Sequence, residues 1–128
     1  MAARLIAPGE LVTKDPADIR NYPIDWDARN LSVSAQIATS TWTITAISPS
    51  TSDAALTKDS ESKLTAAEAT ALLTAQGMPR TITGDNRFTQ VRLTGGTLNQ
   101  VYEIANKIVT NETPAQTKEL SFRVLVQN

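Results

Sequence analysis

Three stretches near the end of the chain decide how it reads: Phe88-Thr89-Gln90-Val91-Arg92-Leu93-Thr94, then Gln100-Val101-Tyr102-Glu103-Ile104-Ala105-Asn106-Lys107-Ile108-Val109, then Lys118-Glu119-Leu120-Ser121-Phe122-Arg123-Val124-Leu125-Val126-Gln127. Side chains on a strand alternate between two faces, so a half-buried strand carries apolar residues at every second position. The last stretch does this with Leu120, Phe122, Val124 and Val126, the middle one with Tyr102, Ile104 and Ile108, and the first with Val91 and Leu93. Between them stand Gly95-Gly96-Thr97-Leu98-Asn99 and Asn111-Glu112-Thr113-Pro114-Ala115, both turn-forming in composition. Three strands joined by short turns predict an antiparallel meander over residues 88–127.

Working outward, the whole chain has 128 residues, a length that suits one domain with a real core. Its 12 basic and 13 acidic residues give a net charge of -1, which argues against a nucleic-acid binder relying on a basic face. There is no cysteine, so disulfides and thiolate metal sites are excluded. There is no histidine either, which removes the commonest general base and the commonest metal ligand together. No stretch approaches the roughly 20 apolar residues of a membrane span, and Met1 to Gly9 lacks the apolar run of a signal peptide. A soluble protein made in the cytoplasm is expected.

Upstream of the opening stretches, residues 1–9 read as an extended arm hinged at Pro8-Gly9. Its Leu5 and Ile6 are candidate anchors for a neighbouring molecule. The remaining residues, 10–128, form the domain. A short strand is expected over Glu10–Lys14, a turn over 17–21, and a second strand over Tyr22–Asp27, where Tyr22, Ile24 and Trp26 alternate with polar residues. Gln36–Ile47 is a third, with Trp42, Ile44 and Ala46 on one face and Thr41, Thr43 and Thr45 on the other. Residues 49–86 read as an insertion. Its first part, 49–62, is polar and predicts a mobile excursion. Its second part predicts a helix over 65–77. Thr65-Ala66-Ala67-Glu68 is a capping box, Ala69, Leu72 and Leu73 form an apolar stripe, and Gly77 with Pro79 ends the helix. Thr81-Ile82-Thr83 predicts a brief edge strand.

About seven short strands separated by turns predict an all-β protein, a β-sandwich with a short helix in an inserted loop. An immunoglobulin-like, antiparallel arrangement explains two particular residues. That fold carries a core Trp on its third strand and a Tyr near the start of its sixth, two residues before a cysteine that bridges the sheets. Trp42 and Tyr102 occupy those places, with Ile104 and Ile24 where the cysteines would stand. The alternative is that Trp42 and Tyr102 are core aromatics of another β-fold.

Three constellations bear on chemistry. Asp25 and Asp27 flank Trp26, a pairing that can bind or hydrolyse sugar, although on a strand both carboxylates face away from the indole into solvent. Residues 57–68 faintly follow a calcium loop through Asp59, Glu61 and Glu68. The first ligand position holds Thr57 and the glycine position Ser62, and the capping box already accounts for Glu68. Thr94-Gly95-Gly96-Thr97 lacks the lysine and helix of a phosphate cradle and reads as a hairpin turn. No catalytic, metal or cofactor site is therefore assigned. Arg87, Arg92, Lys107, Lys118 and Arg123 fall on neighbouring strands, either as a solvated face or as one that meets an acidic partner, with Arg92 and Arg123 the candidate contacts.

Four motifs point further. Lys14-Asp15-Pro16 followed by Tyr22-x-Ile24-Asp25-Trp26 resembles a KDP…DYxIDW opening, and Ala38-Thr39-Ser40-Thr41-Trp42-Thr43-Ile44 resembles an IxSSxWTV strand. Leu93-Thr94-Gly95-Gly96-Thr97 resembles LSGGT, and Tyr102 to Thr110 resembles YxVxNxIxT. In that order they resemble a family of small structural proteins of tailed bacteriophages, described as fibre–tail adaptors. The resemblance covers residues 14–47 and 88–127; the insertion from Pro49 to Asn86 departs from it. It implies an immunoglobulin-like sandwich and a non-catalytic virion protein joining fibre to tail. The alternatives are a head-decoration (capsid cement) protein and a carbohydrate-binding sandwich. The expected partners are other virion proteins in tail, fibre or capsid and further copies of the chain, with no nucleic acid, membrane or cofactor.

Overall fold

The computed structural model describes residues 5–29 and 31–128. Along these run β1 (Leu11–Lys14), β2 (Ile19–Asp25), β3 (Ile37–Ser48), β4 (Leu56–Lys63), α1 (Ala66–Ala75), β5 (Phe88–Gly95), β6 (Val101–Thr110) and β7 (Thr117–Val126). The strands form two sheets, a four-stranded one in the order β1-β7-β6-β3 and a three-stranded one in the order β2-β5-β4. Every pairing is antiparallel except β1 with β7, which is parallel, with Leu11 opposite Arg123 and Lys14 opposite Val126. The division of β2, β5 and β4 from β3, β6 and β7 is that of an immunoglobulin-type Greek key.

The alternation in the last three strands identified their faces and misjudged their partners. β6 and β7 form a hairpin, but β5 belongs to the other sheet, so residues 88–127 are not a meander. Gly95 and Gly96 carry the chain across rather than around a hairpin, with φ of 83° and 107°. A side chain at Gly95 would place its Cβ 2.5 Å from the Ala55 carbonyl oxygen, and one at Gly96 would come 2.7 Å from Val126. Only glycine fits both the backbone and the space.

Between the sheets, Ile24 and Ile104 are fully buried where an immunoglobulin domain carries its cystines. Trp42 is 4% exposed in the same core, alongside Val91, Phe122 and Val124. Tyr102 is also fully buried, and its hydroxyl reaches back to accept a hydrogen bond from Thr97 N at 2.9 Å. That backward bond from the start of the sixth strand is the tyrosine corner of immunoglobulin-like domains.

The insertion differs from expectation in its first half. Residues 56–63 are a strand, paired along β5 from Leu56 opposite Gly95 to Lys63 opposite Thr89. Only Leu56 is buried, so the segment has the polar composition of a loop while its backbone ladder holds it at the sheet edge. Lys58, Asp59 and Glu61 suit an edge that must not pair with other chains. Residues 49–55 are tied down as well: Gln100 exchanges side-chain hydrogen bonds with the Ser50 backbone, and Tyr102 Oη donates to Asp53 Oδ1 at 2.6 Å.

The helix forms as its capping signals direct. Thr65 Oγ1 accepts from Glu68 N, Glu68 Oε1 accepts from Thr65 N, and Gly77 follows with φ of 74°. Ala69 and Leu73 pack with Leu64, Ile82 and Phe88 in a second apolar cluster against the start of β5. Thr81–Thr83 is not a strand, because Ile82 serves this cluster instead of a sheet.

The arm also folds inward. Ile6 is 2% exposed within the main core, its N–H donates to Pro23 O, and Leu5 packs against the helix cluster. Gly9, with φ of 70°, then donates to Ser121 O, so Pro8-Gly9 moves the chain from beside β2 to beside β7. Two adjacent apolar residues gave no period from which this burial is readable. Residues 1–4 of the expected arm lie outside the described residues.

Candidate functional site

The acid pair that suggested hydrolysis belongs to the framework. Arg80 Nη2 donates to Asp25 Oδ2 at 2.7 Å and Asp27 Oδ2 at 3.3 Å. Arg87 Nε donates to the other Asp27 oxygen, while its Nη1 reaches the carbonyls of Ser32 and Ala35. Asp25 and Arg87 are both buried. Two carboxylates and two guanidiniums thus tie the end of β2, the following loop and the end of the insertion together, and neither carboxylate points freely into solvent as expected. The calcium-like spacing likewise dissolves, since Asp59 and Glu61 lie on β4 and Glu68 caps the helix.

A buried polar network joins the sheets. Trp26 Nε1 donates to Thr89 Oγ1 and Asn106 Oδ1, each at 3.0 Å, and Thr89 Oγ1 donates to Asn106 Oδ1 at 2.6 Å. The Asn106 amide donates to Ser40 Oγ at 2.9 Å and Thr41 O at 3.2 Å. Asn106 sits at an inward position between Ile104 and Ile108, and a lone polar residue in an apolar file was its only signal in the sequence.

Lys14 is equally enclosed. It is 1% exposed, and its ammonium donates to the carbonyls of Asp15 at 3.0 Å and Gly95 at 2.7 Å, linking β1 to the glycine crossover. Burial pushes its pKa below the usual lysine value. Hydrogen bonds from Thr97 and Tyr102 hold the Asp53 carboxyl below the usual aspartate range, while burial and the bond to Asp53 push the Tyr102 hydroxyl upward.

The cations expected on a common face are dispersed. Arg87 is internal. Arg92 is on the outer face of β5, paired with Asp59 at 3.1 Å, and Arg123 is exposed on β7 of the other sheet. Leu5 and Ile6 are engaged in packing, so the four candidate contact residues do not form one site. The outer face of the four-stranded sheet sets Arg123 opposite Glu103, and Glu119 opposite Lys107. Beside them run Thr41, Thr43 and Thr45, all exposed. All six aromatic residues are buried, which leaves no ring on the surface to stack on a sugar.

One concavity stands out. A groove of about 460 Å³ opens at the start of β7, with Trp26, Leu120 and Pro8 supplying apolar walls and Arg29, Lys118 and Glu119 its charged residues. Arg29 Nε is shielded from solvent and has no hydrogen-bond acceptor among the described residues. Among those residues no group of three or more Asp or Glu is placed to hold a metal, and no helix is long and apolar enough to cross a membrane.

An immunoglobulin-like sandwich with most of its buried charged and polar groups engaged in its own framework defines the class: an all-β scaffold protein. The chain belongs to the family described as Podophage GP4 fiber-tail adaptor protein gp77, whose family model matches residues 14–125, from Lys14 through all but the last residue of β7. No curated protein matches it.

Proposed function

We propose that the chain is a non-catalytic structural adaptor in a podophage particle, joining a fibre to the tail. Membership of the adaptor family across residues 14–125 carries this reading. The surface supports it: exposed Thr hydroxyls, cross-strand charge pairs and sheet edges suit contact with protein, and a net charge of -1 provides no long-range attraction to nucleic acid. The adaptor is made in the host cytoplasm and acts as several identical copies held by other virion proteins, with no membrane or cofactor. Arg92 and Arg123 are contact candidates on opposite sheets. The family gives no support for a seat on the head, and the buried aromatic residues give none for sugar binding.

Quantitative mass analysis of purified particles, combined with gold labelling, tests the reading. The expected result is a fixed copy number with the label at the tail. Absence from particles, or label distributed over the head, would overturn it.

A further inference from the structure

The first half of β7 is a sheet edge with no paired strand among the described residues. β1 pairs only with Arg123–Val126, so the side of β7 that faces β1 has no strand beside Thr117–Ser121. The direction of the amides follows from the bonds already made on that side. Ser121 O accepts from Gly9 N, Arg123 N donates to Glu10 O, and Gln127 N donates to Lys14 O. Amides alternate along a strand, so odd-numbered residues face this side and even-numbered ones face β6. The N–H and C=O of Glu119, together with the N–H of Ser121, therefore point toward the open side, where no backbone partner stands among the described residues.

The groove lies against this edge. Lys118 and Leu120 line it, with Trp26 and Pro8 completing an apolar wall and Arg29 adding a second positive charge. Arg29 Nε is a shielded donor without an acceptor, an arrangement that costs free energy until an acceptor arrives. Glu119 also borders the groove, but two cations against one carboxylate leave the lining net positive, and by strand alternation Glu119 lies on the opposite face from Lys118 and Leu120, in register with Lys107. The β4 edge lacks this combination: it carries Lys58, Asp59 and Glu61 of mixed sign and has an irregular register between Lys58 and Ser60.

We propose that β7 residues 117–121 accept an extended peptide segment as an added strand, with an acidic side chain of that segment held by Arg29 and Lys118. Main-chain hydrogen bonds to Glu119 and Ser121 supply register-independent attraction, and the groove selects apolar residues flanking one carboxylate. The occupant is a segment of another protein. The arm of a second copy, Met1-Ala2-Ala3-Arg4, would bring a positive charge to a positive groove. That the other protein is a virion component rests on the adaptor reading; the strand-addition site does not.

Peptide titration of the full chain, followed by backbone amide and indole NMR signals, tests this. The probes are an extended peptide alternating Thr and Val around a central Glu, and its Gln and Lys counterparts. Expected are shifts and slowed exchange at Glu119 and Ser121, a shift of the Trp26 indole, and binding of the Glu peptide about tenfold tighter than the Lys peptide. Arg29→Gln should remove most of that preference. Glu119→Pro deletes an edge-facing N–H without touching the β6 ladder and should weaken all three peptides. Lys118→Glu, which leaves the backbone unchanged and sets a carboxylate against Arg29, should sharply reduce the preference for the Glu peptide even if the proline variant folds poorly. No binding at millimolar peptide, equal affinity for Glu and Lys peptides, or shifts confined to β3 or β4 would each overturn the proposal. Because the assay uses the isolated chain, its failure leaves the particle-location test of the adaptor reading untouched.

Discussion

Tyr102→Phe removes one oxygen and nothing else. The ring is fully buried and remains, so no cavity forms and the core contacts of Ile104 and Phe122 survive. The hydroxyl accepts from Thr97 N at 2.9 Å and donates to Asp53 Oδ1 at 2.6 Å, so one deletion unfastens both the crossover before β6 and the start of the insertion. The neutral bond to Thr97 is worth about 0.5–1.5 kcal/mol, and Thr97 can turn to water once released, which keeps the loss near the low end of a range of about 1–2 kcal/mol for the whole variant. For a domain of this size that corresponds to a drop in Tm of about 3–8 °C. Urea denaturation followed by tryptophan fluorescence should show a lower midpoint with an unchanged slope.

The same variant has a signature that simple loss of stability would not produce. Asp53 has a depressed folded pKa, so its contribution to stability is present above the usual value of 3.8 and is lost as pH falls through the folded value. Tyr102 is one of the causes of that depression, so its removal should make the acid limb of the stability curve shallower. At the other end, the raised Tyr102 pKa gives stability that is lost as pH rises through the folded value above 10.0, and the phenylalanine variant should lack this limb. Amide exchange over residues 49–55 should accelerate more than elsewhere. A variant within about 0.3 kcal/mol of the parent, well below the range expected for a lost hydrogen bond, with unaltered exchange there, would refute the idea that this hydroxyl fastens the insertion.

Trp42→Ala should cost about 3–5 kcal/mol by leaving a cavity in the main core, measured by the same denaturation. Because Trp42 Nε1 has no hydrogen-bond partner among the described residues, Trp42→Phe should cost much less. Asn106→Leu should cost about 2–4 kcal/mol despite its similar size, because the buried Trp26 indole and Thr89 hydroxyl both lose the Asn106 Oδ1 acceptor; a neutral result would show the network to be dispensable. Thr65→Ala should cost about 1 kcal/mol and loosen residues 66–75 first, as read by amide exchange. Lys14→Met gives an alkaline test. The folded Lys14 pKa lies below 10.5, so its burial penalty is relieved as pH rises from the folded value toward 10.5, and over that window the parent should gain stability relative to the variant.

How far these residues were legible in advance depends on what kind of order they express. Alternation is a local property of the chain, and it marked the inward faces of β6 and β7 residue by residue. Pairing is a long-range property, and alternation is silent about it, which is why β5 was assigned to the wrong neighbour. Only the pair Trp42 and Tyr102, placed at particular strands of a known sandwich, carried topological information. The capping box was readable because both of its bonds lie within one turn of helix. β4 was not, because its stability lies in backbone bonds to β5 and its side chains record little beyond solvent exposure.

The same distinction explains why the candidate site escaped the sequence. A catalytic centre announces itself through residue types, and the types that form clusters here, Asp25, Asp27, Arg80 and Arg87, turned out to fasten loops. A strand-addition site consists of backbone that nothing covers, and a missing neighbour has no residue code. It becomes visible only when β1 is seen to end its pairing at Arg123 while β7 begins at Thr117. Arg29 had no periodic context, and Lys118 was grouped with outward-facing cations although strand geometry places it on the inner side with Leu120. Binding by added strands fits this surface. If main-chain bonds supply the attachment, exposed aromatic anchors are unnecessary, and all the rings can serve the core.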